Sequence, residues 1–337
     1  MRIFLVILVS LLLGIGAALY ADRTPDLKYH IDGLLERVLP AEADVDPISG
    51  FVPEDELAEF GLQTCFERDP EFVTTPPVWM SRAELGPNAS ARTAARPYPD
   101  LERFPGLVKI EQILSTGGSQ RHHCAATRVA EHWFLTANHC VRMRGPSAQV
   151  VDMVIVAPAE DVMQPESVIV PISGAVCHSA WYSDTGKFDD DVALVYVEDV
   201  SDLSGVDIAR TDAGEMPIQM TSGDEVYFAG WGKNGQNRFL QGGALTVRNV
   251  GETFIMADNS GEFAPCVGDS GGPLYLETDA GPRVVGVLSS VTMDACPPYD
   301  RAFYMRLKSF DVWMTRAMSI CRQNGRFVCG RPPEEFG

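Results

Sequence analysis

Short runs of apolar and β-branched residues recur from about Leu101 onward, separated by Gly, Pro, Asn and Asp. Runs of this length and composition, bounded by turn-forming residues, are typical of β-strands. The pattern predicts strands over 107–113, 132–136, 150–156, 167–170, 192–197, 225–229, 244–250, 253–256, 273–276, 284–290 and 302–307. Many short strands with turn signals between them indicate an all-β barrel or sandwich.

Helical spacing of apolar residues occurs outside this region. It predicts helices over 26–39 and 309–321, and a short helix over 54–60 after Pro53. Residues 22–100 are otherwise acidic, rich in proline and short of long apolar runs. We therefore expect an irregular, partly helical leading segment that ends in a linker and could serve as a pro-region.

The first 21 residues are strongly apolar. One Arg precedes a run from Ile3 to Ala21 that carries no charge and ends in small residues. Such a segment is typical of a secretory signal peptide, and its length also fits an uncleaved anchor that just spans a bilayer. Both alternatives stay open, and both predict a secreted or periplasmic location.

Charge and cysteine content narrow the class of protein. The 337-residue chain has a formal net charge of −19 and no basic cluster, so we expect no nucleic-acid partner. Its eight cysteines are an even number, which suits disulfides in an oxidising compartment. No Cys-x-x-Cys pair is present, and the spacing around Cys124 does not suit a metal, so we predict neither a metal nor a cofactor.

Three stretches carry residues suited to nucleophilic catalysis. PCVGDSGGPL places Ser270 in a glycine-rich turn, TANHC ends a strand beside His139, and DDDVALV puts carboxylates ahead of an apolar strand. A serine hydroxyl is a poor nucleophile at neutral pH, so it needs a base, and the base needs a partner that fixes its tautomer. Each stretch alone also fits a purely structural role, and only the set of three points to catalysis.

In this order the motifs resemble those of the trypsin/chymotrypsin-like serine proteases. That family has Thr-Ala-Ala-His-Cys, then Asp-Ile-Ala-Leu, then Gly-Asp-Ser-Gly-Gly-Pro, and Gly230-Trp231-Gly232 matches a further family motif. The resemblance covers about residues 101–320 and leaves 321–337 as a C-terminal tail. It implies an all-β fold of two antiparallel six-stranded barrels of the chymotrypsin type with a C-terminal helix.

The resemblance implies roles for individual residues. Ser270 would be the nucleophile, and His139 the general base and then the general acid. Asp191 would orient His139, and Asp189 and Asp190 would be ordinary loop carboxylates. The chain order His–Asp–Ser disfavours an esterase of the α/β-hydrolase type, in which the order is reversed.

The resemblance also implies an oxyanion hole formed by the N–H groups of Gly268 and Ser270. Trypsin-type members of the family have an aspartate six residues before the serine, where this chain has Ala264, so a substrate Arg or Lys would lack a buried partner. Val291 and Ala302 stand where the family often has glycine, which predicts cleavage after small or medium apolar residues. The residues expected at the substrate pocket are Ala264, Ser289, Val291 and Ala302, and Ser289 could also donate to Asp191.

The family pattern implies two disulfides, Cys124–Cys140 and Cys266–Cys296. The four remaining cysteines allow three pairings. Among these we favour Cys321–Cys329, which closes a short terminal loop, and Cys65–Cys177, which would tie the leading segment to the catalytic body.

The family's activation motif has no counterpart here. The mature chain of the family begins with an apolar residue and Val-Gly-Gly, and its new amine pairs with the aspartate before the serine, here Asp269. Residues 93–98 contain no such motif. Cutting by an activating protease, activity without cutting, and inactivity all stay open.

The sequence therefore predicts a serine endopeptidase that acts on protein or peptide substrates. The alternative is a catalytically silent trypsin-like homologue that acts as a binding or adhesion module, tethered to a membrane if residues 3–21 are retained.

Overall fold

The computed structural model describes residues 52–67, 101–114, 122–142, 150–157, 167–178, 190–212, 218–232, 239–259, 264–292 and 301–330. The signal or anchor over 3–21, the helix predicted over 26–39 and residues 68–100 of the leading segment lie outside these ranges. Within the described residues, no helix is both long enough and apolar enough to cross a membrane.

The N-terminal half of the described chain forms one antiparallel sheet. Its strands are β1 (Leu62–Glu67), β2 (Leu107–Leu114), β3 (His122–Arg128), β4 (Trp133–Thr136), β5 (Val150–Ala157), β6 (Val168–Pro171), β7 (Gly174–His178) and β8 (Ala193–Tyr196). Two short helices accompany them, α1 (Glu54–Glu59) before β1 and α2 (Asn138–Val141) after β4. The strand order across the sheet is β1-β7-β8-β4-β3-β2-β5-β6.

A bend between β6 and β7 curls this sheet into a barrel. Only Ile172 and Ser173 separate the two strands. The Ile172 N–H donates to Met153 O in β5 at 3.0 Å, whereas the Ser173 N–H donates to Tyr196 O in β8 at 2.8 Å. The segment is thus one bent strand that pairs with opposite edges of the sheet. The sheet has eight strands where six were predicted, because this strand is divided and β1 is added.

The C-terminal half contains a closed six-stranded barrel, as predicted. Its strands are β9 (Glu225–Gly230), β10 (Gln241–Val250), β11 (Phe254–Asn259), β12 (Pro273–Leu276), β13 (Arg283–Val291) and β14 (Arg301–Arg306), in the order β10-β11-β14-β13-β12-β9. Successive side chains of a β-strand point to opposite faces, so a closed barrel has an interior set and an exterior set of side chains. The buried interior includes Val226, Phe228, Leu245, Val247, Ile255, Ala257, Leu274, Val285, Leu288, Ala302 and Tyr304.

A helix and a small hairpin follow the second barrel. A 3-10 turn (Leu307–Phe310) leads into α3 (Asp311–Ile320), which confirms the helix predicted over 309–321. A two-stranded hairpin, β15 (Arg322–Gln323) and β16 (Arg326–Phe327), comes next. The helix buries the apolar stripe predicted from its spacing, formed by Trp313, Met314, Ala317 and Ile320.

Residues 52–67, the described part of the leading segment, are more regular than predicted. The short helix predicted over 54–60 is confirmed as α1, but β1 corrects the expectation of an irregular segment. Leu62 and Phe66 of β1 are buried, and the strand pairs with β7 from Leu62↔His178 to Glu67↔Gly174. Part of the leading segment therefore belongs to the first barrel.

Three disulfides join described cysteines: Cys65–Cys177, Cys124–Cys140 and Cys321–Cys329. The first links β1 to β7, the second links β3 to α2, and the third closes the terminal hairpin. Cys266 is also disulfide-bonded, and its expected partner Cys296 lies outside the described residues.

The terminal hairpin docks through Phe327 onto Gly174. A Cβ atom added at Gly174 would lie 2.3 Å from atoms of the Phe327 ring, so Gly174→Ala must displace that ring. We expect Gly174→Ala to lower the free energy of unfolding by about 1–3 kcal/mol, since overpacking forces side chains from their rotamers. Urea unfolding would measure the loss.

A double-mutant cycle provides the control. Phe327→Ala removes the colliding ring, so Gly174→Ala should cost much less in that background than in the wild type. Strictly additive costs would contradict the proposed contact.

Candidate active site

His139 is held at two points by a buried carboxylate. It lies in α2, directly after β4, and its ring Nδ1 is 2.7 Å from Asp191 Oδ2. Its backbone N–H donates to Asp191 Oδ1 at 2.9 Å. The Asp191 side chain is fully buried, whereas the His139 side chain is 21% exposed. This arrangement assigns the proton to Nδ1 and leaves Nε2 free to accept one.

Asp191 receives a third hydrogen bond from the second barrel. Ser289 in β13 donates from Oγ to Asp191 Oδ2 at 2.6 Å. This is the hydrogen bond for which the sequence analysis named Ser289 as a donor. Asp190 faces elsewhere, with an oxygen 3.8 Å from His178 Nδ1, and Asp189 lies outside the described residues.

The loop that carries Ser270 rests on the first barrel. The backbone N–H of Ala125 donates to Ser270 O at 2.8 Å. Gly271 has a φ of +76°, and a Cβ there would lie 2.1 Å from Thr136 Oγ1. This close approach seats the serine beside Thr136, three residues before His139. Among the described residues the Ser270 hydroxyl makes no hydrogen bond to His139, and such bonds are often long in unliganded sites.

Two backbone donors in this loop remain available. The N–H groups of Asp269, Gly271 and Gly272 donate to Cys266 O, Leu288 O and Asp269 O, respectively. The N–H groups of Gly268 and Ser270 have no acceptor among the described residues. Gly268 has a φ of +98°, which glycine adopts at low cost. These two N–H groups are the ones that the sequence assigns to the oxyanion hole, and that role stays a prediction.

Asp269 is buried without a cationic partner among the described residues. Its Oδ1 accepts from the Gly232 N–H at 2.7 Å, and its Oδ2 from the Cys266 N–H at 2.8 Å. Burial raises the pKa of Asp269 to about 7, although both hydrogen bonds act in the opposite direction. A Cβ at Gly232 would lie 2.4 Å from the carboxylate. The Gly-Trp-Gly motif, for which sequence reasoning assigned no role, thus makes room for this side chain.

The predicted pocket residues lie around the second barrel. Ala264 is buried beside Cys266, ahead of the serine loop. Val291 in β13 is half-buried and pairs with buried Ala302 in β14. Residues 293–300 between these strands lie outside the described part of the chain. Ser289 reaches Asp191 with its hydroxyl.

A three-residue cluster has the spacing of a metal site. The ligand atoms of Cys124, His139 and Cys140 lie within 4.8 Å of one another. However, the two sulfurs are joined in a disulfide, and the thiolate is the form of cysteine that binds metals. Only His139 remains as a ligand, so the cluster does not suit a metal ion.

Sequence reasoning missed two supporting residues, although both stand in the TANHC motif. Thr136 Oγ1 donates to Ala125 O at 2.8 Å and links β4 to the strand that holds Ser270 O. Asn138 Nδ2 donates to His178 O at 3.1 Å and ties α2 to β7. The TANHC motif itself was the available signal. The hydrogen-bond partners of Thr136 and Asn138 lie 11 and 40 residues away in the sequence, so the motif alone does not identify them.

Two packed antiparallel barrels with a histidine–aspartate pair in one and a serine loop in the other define the chymotrypsin-type fold. The trypsin family model matches residues 108–314, more than half of the chain. The chain therefore belongs to the trypsin family, a family of serine proteases that act on protein or peptide substrates.

Similar proteins agree with this assignment. Human chymotrypsin-like elastase family member 1 is 26% identical over 235 residues, covering 62% of this chain and 85% of the relative. The rat protein of the same name is 24% identical over 253 residues, covering 69% and 92%. Among solved structures, human heparin binding protein matches with a TM-score of 0.52 and 18% identity, covering 66% of this chain and 95% of that one, and supports the fold.

The raised pKa of Asp269 predicts a pH-dependent stability. Between about pH 4 and 7 the unfolded chain loses this proton while the folded chain keeps it, so stability falls as pH rises. The loss from this group should reach roughly 4 kcal/mol near pH 7 and then level off. Asp269→Asn should remove most of this decline.

Urea unfolding of the uncut chain at several pH values would measure the effect. Asp279→Asn, at an exposed carboxylate, provides the control and should leave the pH dependence as in the wild type. An identical decline in Asp269→Asn and the wild type would contradict the interpretation.

Proposed function

We propose that the chain is a serine endopeptidase that cleaves peptide bonds through an acyl-enzyme. The observation that carries this proposal is the fully buried Asp191, which holds both the ring and the backbone of His139. A structural histidine does not need a buried anion at Nδ1 while its side chain stays partly exposed. A general base does, because the anion fixes its tautomer and stabilises the imidazolium.

The steps follow from this geometry. Ser270 Oγ attacks the substrate carbonyl carbon, and its proton passes to His139 Nε2 while Nδ1–H stays bonded to Asp191. The tetrahedral oxyanion accepts hydrogen bonds from the N–H groups of Gly268 and Ser270. Nε2 then returns the proton to the leaving amine as the C–N bond breaks. Water attacks the resulting ester by the same sequence and releases the acid and free Ser270.

The substrate class is proposed from the pocket. Ala264 offers no charge to a substrate cation, and Val291 and Ala302 add side chains to the wall. Cleavage is therefore proposed after small or medium apolar residues. Relatives named as chymotrypsin-like elastases support this preference.

Export and regulation are proposed from the sequence and the disulfides. The apolar N-terminus is proposed to direct secretion, either as a cleaved signal or as an anchor, and disulfides persist in that compartment. Residues 22–100 are proposed as a pro-region that an activating protease could cut in its linker.

One observation favours the second candidate function, a catalytically silent binding module. Asp269 has no cationic partner among the described residues, and the chain lacks the family's activation motif. If no amine ever pairs with Asp269, the serine loop could stay unsuited to catalysis.

Labelling with a fluorophosphonate tests the nucleophile. We expect the full-length protein to gain one phosphonyl group, seen by intact mass, because an activated serine attacks the probe. Ser270→Ala should abolish the adduct, and Ser201→Ala, at an exposed serine, should keep it. Absence of labelling in both the uncut and the linker-cut protein would favour the silent module.

A peptide library tests the pocket. The wild type should cleave after small or medium apolar residues, and Ala264→Asp should shift cleavage towards Arg and Lys, since a buried carboxylate would then meet the substrate cation. Ala264→Asn adds similar volume without charge and should not cause this shift. Wild-type cleavage only after Arg or Lys would overturn the proposed specificity.

A further inference from the structure

Residues 52–67, here called the leading strap, are built into the first barrel. β1 pairs with β7, and Cys65–Cys177 locks the pair covalently. At its other end, the Val52 N–H donates to Val328 O at 2.6 Å. The strap also buries three apolar side chains almost completely, those of Val52, Leu57 and Leu62. Its removal would expose this apolar surface, so it behaves as part of the core.

The strand that receives the strap also holds both halves of the histidine–aspartate pair. The last residue of β7, His178, donates from its N–H to Val192 O at 3.1 Å, one residue after Asp191. Its carbonyl oxygen accepts from Asn138 Nδ2 at 3.1 Å, one residue before His139. The backbone of a single residue therefore bonds to the direct neighbours of both His139 and Asp191.

The strap pairs with that same residue. Leu62, the first residue of β1 and almost fully buried, is the register partner of His178. The adjoining turn of the strap is fixed by α3, where Trp313 Nε1 donates to Gly61 O at 3.0 Å. The Trp313 ring lies 5.5 Å from the His178 ring. Strap, helix and β7 thus meet at His178.

Charge places the first turn of the strap near α2 as well. Burial lowers the pKa of Arg142, the residue that ends α2, and the Glu54 carboxylate acts in the opposite direction. Glu54 is the first residue of α1. The charge at the start of the strap thus acts on the residue that follows the short helix of His139.

From these contacts we propose that the leading strap is a permanent part of the protein and that its strand β1 positions the active site, acting through His178 on His139 and Asp191. The proposal rests on the proposed function. A pro-region that inhibits must leave, whereas the strap would stay through Cys65–Cys177 after any cut within residues 68–100. Any removable inhibitor or docking element would then have to lie before the strap, and its release would need a further cut between that part and Val52.

Two leucines of the strap offer a matched test. Leu62→Ala and Leu57→Ala each remove a buried leucine side chain from the same segment, but only Leu62 pairs with His178. We expect Leu62→Ala to lower kcat about tenfold or more with little change in KM, because small displacements of catalytic groups are costly. Leu57→Ala should lose stability and keep kcat. Leu62→Met should restore kcat.

A second readout does not need turnover. The NMR signal of the His139 Nδ1–H proton persists only while Asp191 accepts its hydrogen bond away from water. Leu62→Ala should broaden or remove this signal at a temperature where the protein is folded, and Leu57→Ala should keep it. If the wild type takes up no fluorophosphonate and shows no activity, the proposed function is overturned. The NMR signal of the His139 Nδ1–H proton would still test the positioning role of the strap.

The two leucine variants distinguish a positioning role of the strap from the alternatives. Equal effects of the two alanine variants on kcat and on the proton signal, or no effect of either, would overturn the positioning role. A rise in activity for Leu62→Ala would instead identify the strap as an inhibitor. If Leu62→Ala does not fold, Leu62→Val and Leu57→Val provide the same comparison with smaller losses of volume.

Discussion

The buried carboxylate of Asp191 is the interaction on which the site depends. A carboxylate with no exposed surface is costly unless hydrogen bonds replace its water. Here two donors come from His139 and one from Ser289, so the first and second barrels both contribute. Any shift of one barrel against the other would weaken this set. The carboxylate therefore both orients the histidine and fixes the register of the two halves.

The serine loop meets the first barrel under an equally strict constraint. Ser270 O accepts from Ala125 N–H, and Gly271 lies so close to Thr136 that any side chain would collide. The disulfide Cys124–Cys140 holds β3, the strand that contains Ala125, against the helix of His139. The proposed nucleophile, base and oxyanion donors thus share one closely packed junction. Rigidity at this junction is what catalysis by positioning requires.

Sequence reasoning predicted those parts of the molecule that local patterns encode. Strands with long apolar alternation and the terminal helix were found, whereas the catalytic roles of His139, Asp191 and Ser270 stay predictions from their motifs. β1, β3 and β7 were missed, because HHCAATR and GAVCH are short or rich in small residues and LQTCFE lies in acidic surroundings. Such strands form through their partners in the sheet, and local propensity is too weak to indicate them. The hydrogen bond from the Gly232 N–H to the Asp269 carboxylate likewise joins residues 37 positions apart in the sequence.

The retained strap bears on how this chain, which lacks the family's activation motif, could be activated. In this chain residues 52–67 are packed into the first barrel and retained by Cys65–Cys177, whereas residues 22–51 contain no cysteine. A cut in the linker would therefore free a new amine without freeing the strap. Whether such an amine is needed depends on Asp269, whose charge now rests on two backbone N–H groups. Because burial outweighs those two hydrogen bonds and raises the pKa of Asp269, a cationic partner would stabilise the ionised carboxylate within the serine loop.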